Sequence, residues 1–101
     1  MTDFSALQRE DRRLCILRYL AEDSDYSLND SILDKALAGI GHAVSRDSLR
    51  TDIAWLREQG LVSTQEVMDG KVWVVTLDGR GLDVATGRTV VPGIARPRPG
   101  T

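Results

Sequence analysis

The feature that most constrains the fold is a change of sequence period at Gly60. Before it, apolar residues recur every three or four positions from Leu49 to Leu56, which is the spacing of an amphipathic helix. After it, the segments 61–67 and 71–76 are rich in apolar and β-branched residues, as strands are. The sequence therefore predicts a helix that leads directly into two strands.

The helix before Gly60 has signals at both of its ends. Ser45 is a good N-cap, and Val44 and Leu49 have the spacing of a hydrophobic staple. Gly60 supplies the left-handed conformation in which many helices end. We therefore predict a helix over 46–59.

Two more helices are predicted upstream. The first covers about 3–21, and the second begins at the N-cap Asn29 and is broken by Gly39 and Gly41. The residues expected to face the core are Leu7, Leu14, Ile16, Leu17, Leu20 and Ala21 in the first helix and Ile32, Leu33, Ala36 and Leu37 in the second.

A hairpin and a last helix are predicted downstream. Asp69 and Gly70 lie between the two strand segments, and this dipeptide is a strong hairpin signal. A short helix over 77–86 follows, with Thr76 as its expected cap and Gly87 as its end.

Helix, turn, helix and then hairpin is the element order of a winged helix-turn-helix. We predict a mainly α protein with a small β-hairpin, an α+β fold, with the winged-helix domain over 1–87. The tail 88–101 is expected to be an extended arm with disordered last residues, because its prolines cannot continue a helix. Its Val90, Val91 and Ile94 are expected to pack across the first helix, either of the same chain or of a twofold partner.

Charge and cysteine content narrow the functional classes. The net charge is −2, whereas dedicated DNA-binding domains are usually basic on at least one face. Cys15 is the single cysteine, which excludes an intramolecular disulfide and suits a reducing compartment. We find no secretion signal and no apolar run near the roughly 20 residues of a membrane span, so we expect a cytoplasmic protein.

The helix over 46–59 carries the candidate DNA-binding residues. On a helical projection Arg46, Arg50 and Arg57 lie along one flank of its core face. The planar guanidinium group of arginine can form two hydrogen bonds at once to guanine or to phosphate. We expect the exposed N-terminal part of the helix to enter a major groove. The candidate contacts are Ser45, Arg46, Ser48, Arg50, Thr51 and Arg57.

A second interpretation of these arginines is structural. Asp47, Asp52 and Glu58 cancel their charge, so the helix has no net charge. In this interpretation the arginines pair with acids such as Asp47 and keep one flank of the helix in contact with solvent.

No constellation of residues predicts catalysis, a cofactor or a metal ion. Carboxylates are scattered over helix surfaces, and the glycines around Arg80 lack the context of a phosphate-binding loop. His42 lies in a turn and has neither a Cys nor a second His beside it in the sequence, so no metal site is expected. Trp55 lies off the centre of its helix's core face, where partial exposure would suit a protein contact.

Four segments together resemble a family of small proteins from Mu-like phages and prophages, found in the neighbourhood of packaging and head genes. They are REDRRLCILRYLAED, VSRDSLRTDIAWLREQGLV, WVVTLDGRGLDVATGR and VPGIARPRPG. Separately, LREQGLV and VTLDGRG resemble the end of the recognition helix, the wing and the next helix of MarR- and PadR-type regulators. These resemblances imply a phage protein with a regulator-like fold.

Two functional hypotheses follow. The first is a nucleic-acid-binding winged helix that acts on double-stranded DNA as a transcriptional regulator or as a packaging accessory. The second is a protein-interaction module that binds another phage protein and keeps the fold without the DNA role. A homodimer is compatible with both, and no membrane partner is expected.

Overall fold

The computed structural model describes residues 3–98, in which four helices surround one three-stranded antiparallel sheet. The sheet order is β1-β3-β2. In chain order the elements are α1 (Phe4–Glu22), β1 (Ser27–Asn29), α2 (Asp30–Gly39), α3 (Arg46–Glu58), β2 (Val62–Val67), β3 (Val72–Leu77) and α4 (Gly79–Ala85).

The ends of α2 and α3 follow from local capping chemistry. The Asn29 side chain accepts a hydrogen bond from the Ile32 N–H at 2.8 Å, and Ser45 accepts one from the Ser48 N–H at 3.0 Å. Gly60 follows α3 with a φ of +74°, a conformation that glycine adopts without strain. These predicted boundaries are confirmed to within a residue.

The wing is the hairpin of β2 and β3. These strands pair from Val62↔Leu77 to Val67↔Val72, and a loop over 68–71 joins them. Met68, Asp69 and Gly70 of this loop have positive φ values of +53°, +57° and +79°.

The third strand, β1, was not predicted. It is only three residues long, and its register places Leu28 opposite Val75 of β3. The strand exists because of that distant pairing, which no local pattern in 27–29 signals.

One hydrophobic core joins all four helices to the sheet. Leu17, Leu33 and Ile53 are fully buried in it, as is Val75 from β3. Two predicted core residues are wrong. Leu7 is 54% exposed because the buried face of α1 begins only at Leu14, and Ile32 is 46% exposed because the buried stripe of α2 is Leu33 and Leu37.

The start of α4 was also predicted wrongly. Thr76 is not its cap, because β3 continues to Leu77 and Asp78 becomes the N-cap residue. Gly81 has a packing role here, since a Cβ at this position would overlap the Leu61 carbonyl oxygen. Gly87, at a φ of +84°, ends the helix as predicted.

The C-terminal arm turns back onto its own chain. Val91 and Ile94 belong to the core, and the Ala95 N–H donates to the Glu10 carbonyl of α1 at 3.2 Å. A turn at Pro92 and Gly93 interrupts the arm, which was predicted to be extended, and Gly93 has a φ of +98° there.

Val90 does not share the packing of its neighbours. The turn at Pro92 and Gly93 directs Val91 and Ile94 inward, while Val90 is 52% exposed. The disorder predicted for the last residues concerns 96–100, of which 99 and 100 lie outside the described residues.

Candidate nucleic-acid interface

Helix α3 is anchored by a fully apolar face. Leu49, Ile53 and Leu56 are completely buried, and the opposite side of the helix faces solvent. That outer side carries the exposed Thr51 beside Asp47. The arginines lie on one flank between these two sides, as the projection predicts.

A buried carboxylate next to this flank engages two of the arginines. Asp30, the first residue of α2, has no exposed surface and accepts from the Arg50 Nε at 2.8 Å. The Arg46 Nη1 lies 3.7 Å from the same oxygen. The other oxygen accepts from the Trp73 backbone N–H at 3.2 Å. Asp30 thereby joins α2, α3 and β3.

Arg50 and Arg57 connect α3 to the wing. Arg50 donates from Nη2 to the Lys71 carbonyl at 2.7 Å, and Arg57 donates to the Thr64 hydroxyl at 2.9 Å. Both guanidinium groups lie over the indole of Trp73, at 5.0 and 5.9 Å from the ring centre. The position of the wing relative to α3 therefore depends on this flank.

The other flank of α3 is tied to α1 by a second buried carboxylate. Asp52 accepts from the Nε of Arg12 at 2.6 Å and from the Nε of Arg13 at 3.1 Å. Arg13 also stacks 3.9 Å above Trp55 and donates to the Gly93 carbonyl of the arm. Asp52 is thus neutralised from α1 and contributes no negative charge to the exposed surface of α3.

The predicted contact residues fall into two groups. Ser45, Arg46 and Ser48 lie together in the exposed first turn of α3, and Thr51 follows on the outer side. Arg50 and Arg57 are directed towards the wing, and Arg50 is the less exposed of the two.

The structural interpretation predicted that the arginines pair with acidic residues, and two of them do. It named the wrong acid. Arg46 and Arg50 pair with Asp30 and not with Asp47. Sequence reasoning missed Asp30 because its partners lie 20 and 43 residues away. The sequence offered one signal, the acidic Asp30 directly after the N-cap Asn29. This signal is not specific, because acidic residues are common in the first turn of helices, where they interact with the helix dipole.

The surface of the wing is mixed in charge. Glu66, Asp69 and Lys71 are exposed, and Met68 presents an apolar side chain at the tip. The arm adds Arg88 and Arg96 at the surface.

Comparison with known proteins decides the family. The chain is 51% identical over 90 residues to a protein of Escherichia phage Mu described as uncharacterized protein gp26, covering 89% of this chain and 91% of gp26. The chain belongs to the gp26 family. A Haemophilus influenzae protein is 40% identical over 83 residues, which cover 82% of this chain and 79% of the relative. No family model matches.

Solved structures show the fold class. The complex structure of hsRosR-S4 superposes with a TM-score of 0.61 at 20% identity, covering 78% of this chain and 71% of that one. Sco3205, a MarR family transcriptional regulator from Streptomyces coelicolor solved in complex with DNA, gives 0.62 at 22% identity, covering 88% of this chain and 55% of that one. The winged-helix prediction is confirmed.

Within 3–98, no helix combines the length and apolar character needed to cross a bilayer.

Proposed function

We propose that this protein binds double-stranded DNA through the exposed first turn and outer side of α3, with the wing beside it. The observation that carries the proposal is the exposure of Ser45, Arg46, Ser48 and Thr51 on a helix whose opposite face is fully buried. Hydroxyl groups and arginine bind base edges and phosphates in this kind of helix. The solved DNA complex of Sco3205, which has the same fold, supports the proposal.

The arginines have different tasks in this proposal. Arg46 has an exposed side chain and only a 3.7 Å pairing with Asp30, so it is available to a phosphate. Arg57 is exposed at the other end of the flank. Arg50 is a positioning residue, because its hydrogen bonds to Asp30 and to the Lys71 carbonyl hold the wing against α3.

A part-exposed Trp55 was the residue expected to suit the protein-interaction alternative. In the structure Arg13 covers one face of this indole, and Gly93 lies against its edge. This coverage leaves less of Trp55 available to a protein partner.

The test is fluorescence anisotropy with labelled duplexes from a Mu-like phage, at several salt concentrations. At about 50 mM salt the parent protein is expected to bind with a Kd of about 10 µM or tighter. Arg46→Ala weakens binding and lowers the slope of log K against log salt by roughly one unit, as loss of one phosphate contact does. Asp30 keeps its hydrogen bond from Arg50 in this variant, so the fold is retained.

Arg9→Ala is the matched control, because it removes one exposed arginine from α1. It is expected to leave both affinity and salt slope unchanged. Absence of parent binding, or equal weakening by Arg9→Ala and Arg46→Ala, contradicts the proposal. Competition with unrelated DNA then tests for the sequence-specific binding that a transcriptional regulator requires, since only specific binding resists the competitor.

A further inference from the structure

Three potential metal ligands converge from two separate parts of the chain. Asp11 and Cys15 are four residues apart on α1, so they lie on one face of the helix. His42 comes from the turn between α2 and α3, and its ring meets Asp11 across 31 residues of sequence. Sequence reasoning could not bring them together, because the contact depends on how the turn folds back onto α1.

We propose that Asp11, Cys15 and His42 form a binding site for one zinc-type divalent metal ion. Their donor atoms all lie within 4.8 Å of one another. The His42 Nε2 is 2.7 Å and the Cys15 Sγ is 4.0 Å from the Asp11 Oδ2. Zinc bonds of about 2.0–2.3 Å place tetrahedral ligands roughly 3.3–3.7 Å apart. Shifts of about 1 Å therefore bring these three atoms into coordination range.

The donor set favours zinc and its neighbours over hard cations. One sulfur, one imidazole nitrogen and one carboxylate oxygen suit Zn²⁺ and Co²⁺, whereas Mg²⁺ and Ca²⁺ prefer oxygen ligands throughout. Three protein ligands leave a fourth tetrahedral position for water, and the Asp11 side chain is 56% exposed, so solvent reaches the cluster. The backbone of His42 is held in place by its amide N–H, which donates to the Leu37 carbonyl at 2.8 Å.

A reactive cysteine is a poorer explanation of the same cluster. Burial raises the pKa of the Cys15 thiol, the Asp11 carboxylate raises it further, and only Arg18 opposes them. A thiol with a raised pKa is a weak nucleophile at neutral pH. A metal ion replaces the thiol proton, and Arg18 helps to offset the combined negative charge of thiolate and carboxylate.

The metal would link α1 to the turn that precedes α3. Gly41 of this turn has a φ of +90°, and Ser45, the N-cap of α3, lies three residues after His42. Binding to the folded state alone stabilises a protein, so metal is expected to raise the Tm. This effect does not depend on whether the protein binds DNA.

The experiment is a titration of tag-free, reduced protein with Co²⁺, followed by competition with Zn²⁺. The expected result is one equivalent of Co²⁺ with a thiolate charge-transfer band and the visible bands of tetrahedral cobalt, both lost when Zn²⁺ is added. Zn²⁺ is also expected to raise the Tm. Cys15→Ser removes the thiolate band, and His42→Ala weakens Co²⁺ binding by at least about tenfold.

Asp69→Asn in the wing loop is the matched control for Asp11→Asn, because each variant loses one exposed carboxylate. Only Asp11→Asn is expected to weaken Co²⁺ binding, and circular dichroism of each variant establishes that it is folded. Lack of a thiolate band in the parent, or binding that the Cys15 and His42 variants retain, overturns the proposal. The cluster is then only a His42–Asp11 hydrogen bond beside a half-buried thiol.

Discussion

Asp30 and Asp52 are buried carboxylates, and each is paired with two arginines beside α3. Asp30 joins the arginine flank to α2 and β3, and Asp52 joins the other flank to α1. Removing one member of such a group leaves the remaining charges buried without compensation, which is costly. The orientation of α3 therefore rests on electrostatic contacts at both flanks as well as on its apolar face.

Asp52→Asn tests this role at the residue scale. The Asp52 side chain is 2% exposed, and Arg12 and Arg13 are 13% and 11% exposed, so both arginines would lose a partner away from solvent. We expect the free energy of unfolding to fall by about 3–5 kcal/mol in urea denaturation. Asp47→Asn, an exposed site in the first turn of the same helix, is expected to cost only about 0.3–1 kcal/mol. Equal effects of the two substitutions would show that the Asp52 contacts do not stabilise the fold.

At the scale of elements, prediction from sequence succeeded where the determining chemistry is local. Caps at Asn29 and Ser45 and the glycine after α3 act within a few residues, so their pattern is visible in the sequence. Strand β1 depends on pairing with β3, which lies far along the chain from it. The start of α4 depends on where β3 ends, and that end is set by the pairing of Leu77 with Val62 of β2. The same distinction between local and distant determinants applies to the candidate site. The position of Arg46 on α3 was predictable from the sequence, whereas its pairing with the distant Asp30 was not.

The arm gives a prediction at this scale. Ile94→Ala is expected to lower stability by about 2–5 kcal/mol, because Ile94 is 5% exposed within the core. Val90→Ala, at the exposed neighbouring valine, is expected to change it by about 0.5 kcal/mol or less. Thermal unfolding followed by circular dichroism measures both.

The same melts separate an arm packed on its own chain from one exchanged with a partner. An arm on its own chain gives a Tm that is independent of protein concentration, whereas an exchanged arm gives a Tm that rises with concentration. The contacts of Ala95 with Glu10 and of Gly93 with Arg13 within one chain predict the first result.

For the whole molecule, the features group around α3. Asp52 connects it to α1, whose Arg13 also donates to the Gly93 carbonyl of the arm. Asp30 connects it to α2 and the wing, and the turn with His42 leads into its first residue. The rest of the fold thus holds one helix with its first turn and outer side exposed. We interpret that exposed surface as the place where DNA binds.

Amide chemical shifts of labelled protein, followed by NMR during titration with a short phage duplex, test whether DNA contacts this molecule through α3. We expect the largest shifts over 45–51 in the first turns of α3, with smaller ones at Lys71 in the wing. The amides of Arg9 on α1 and Asp25 in the loop before β1 are expected to stay in place. Shifts concentrated on α1, or no shifts at saturating duplex, would contradict DNA binding through α3.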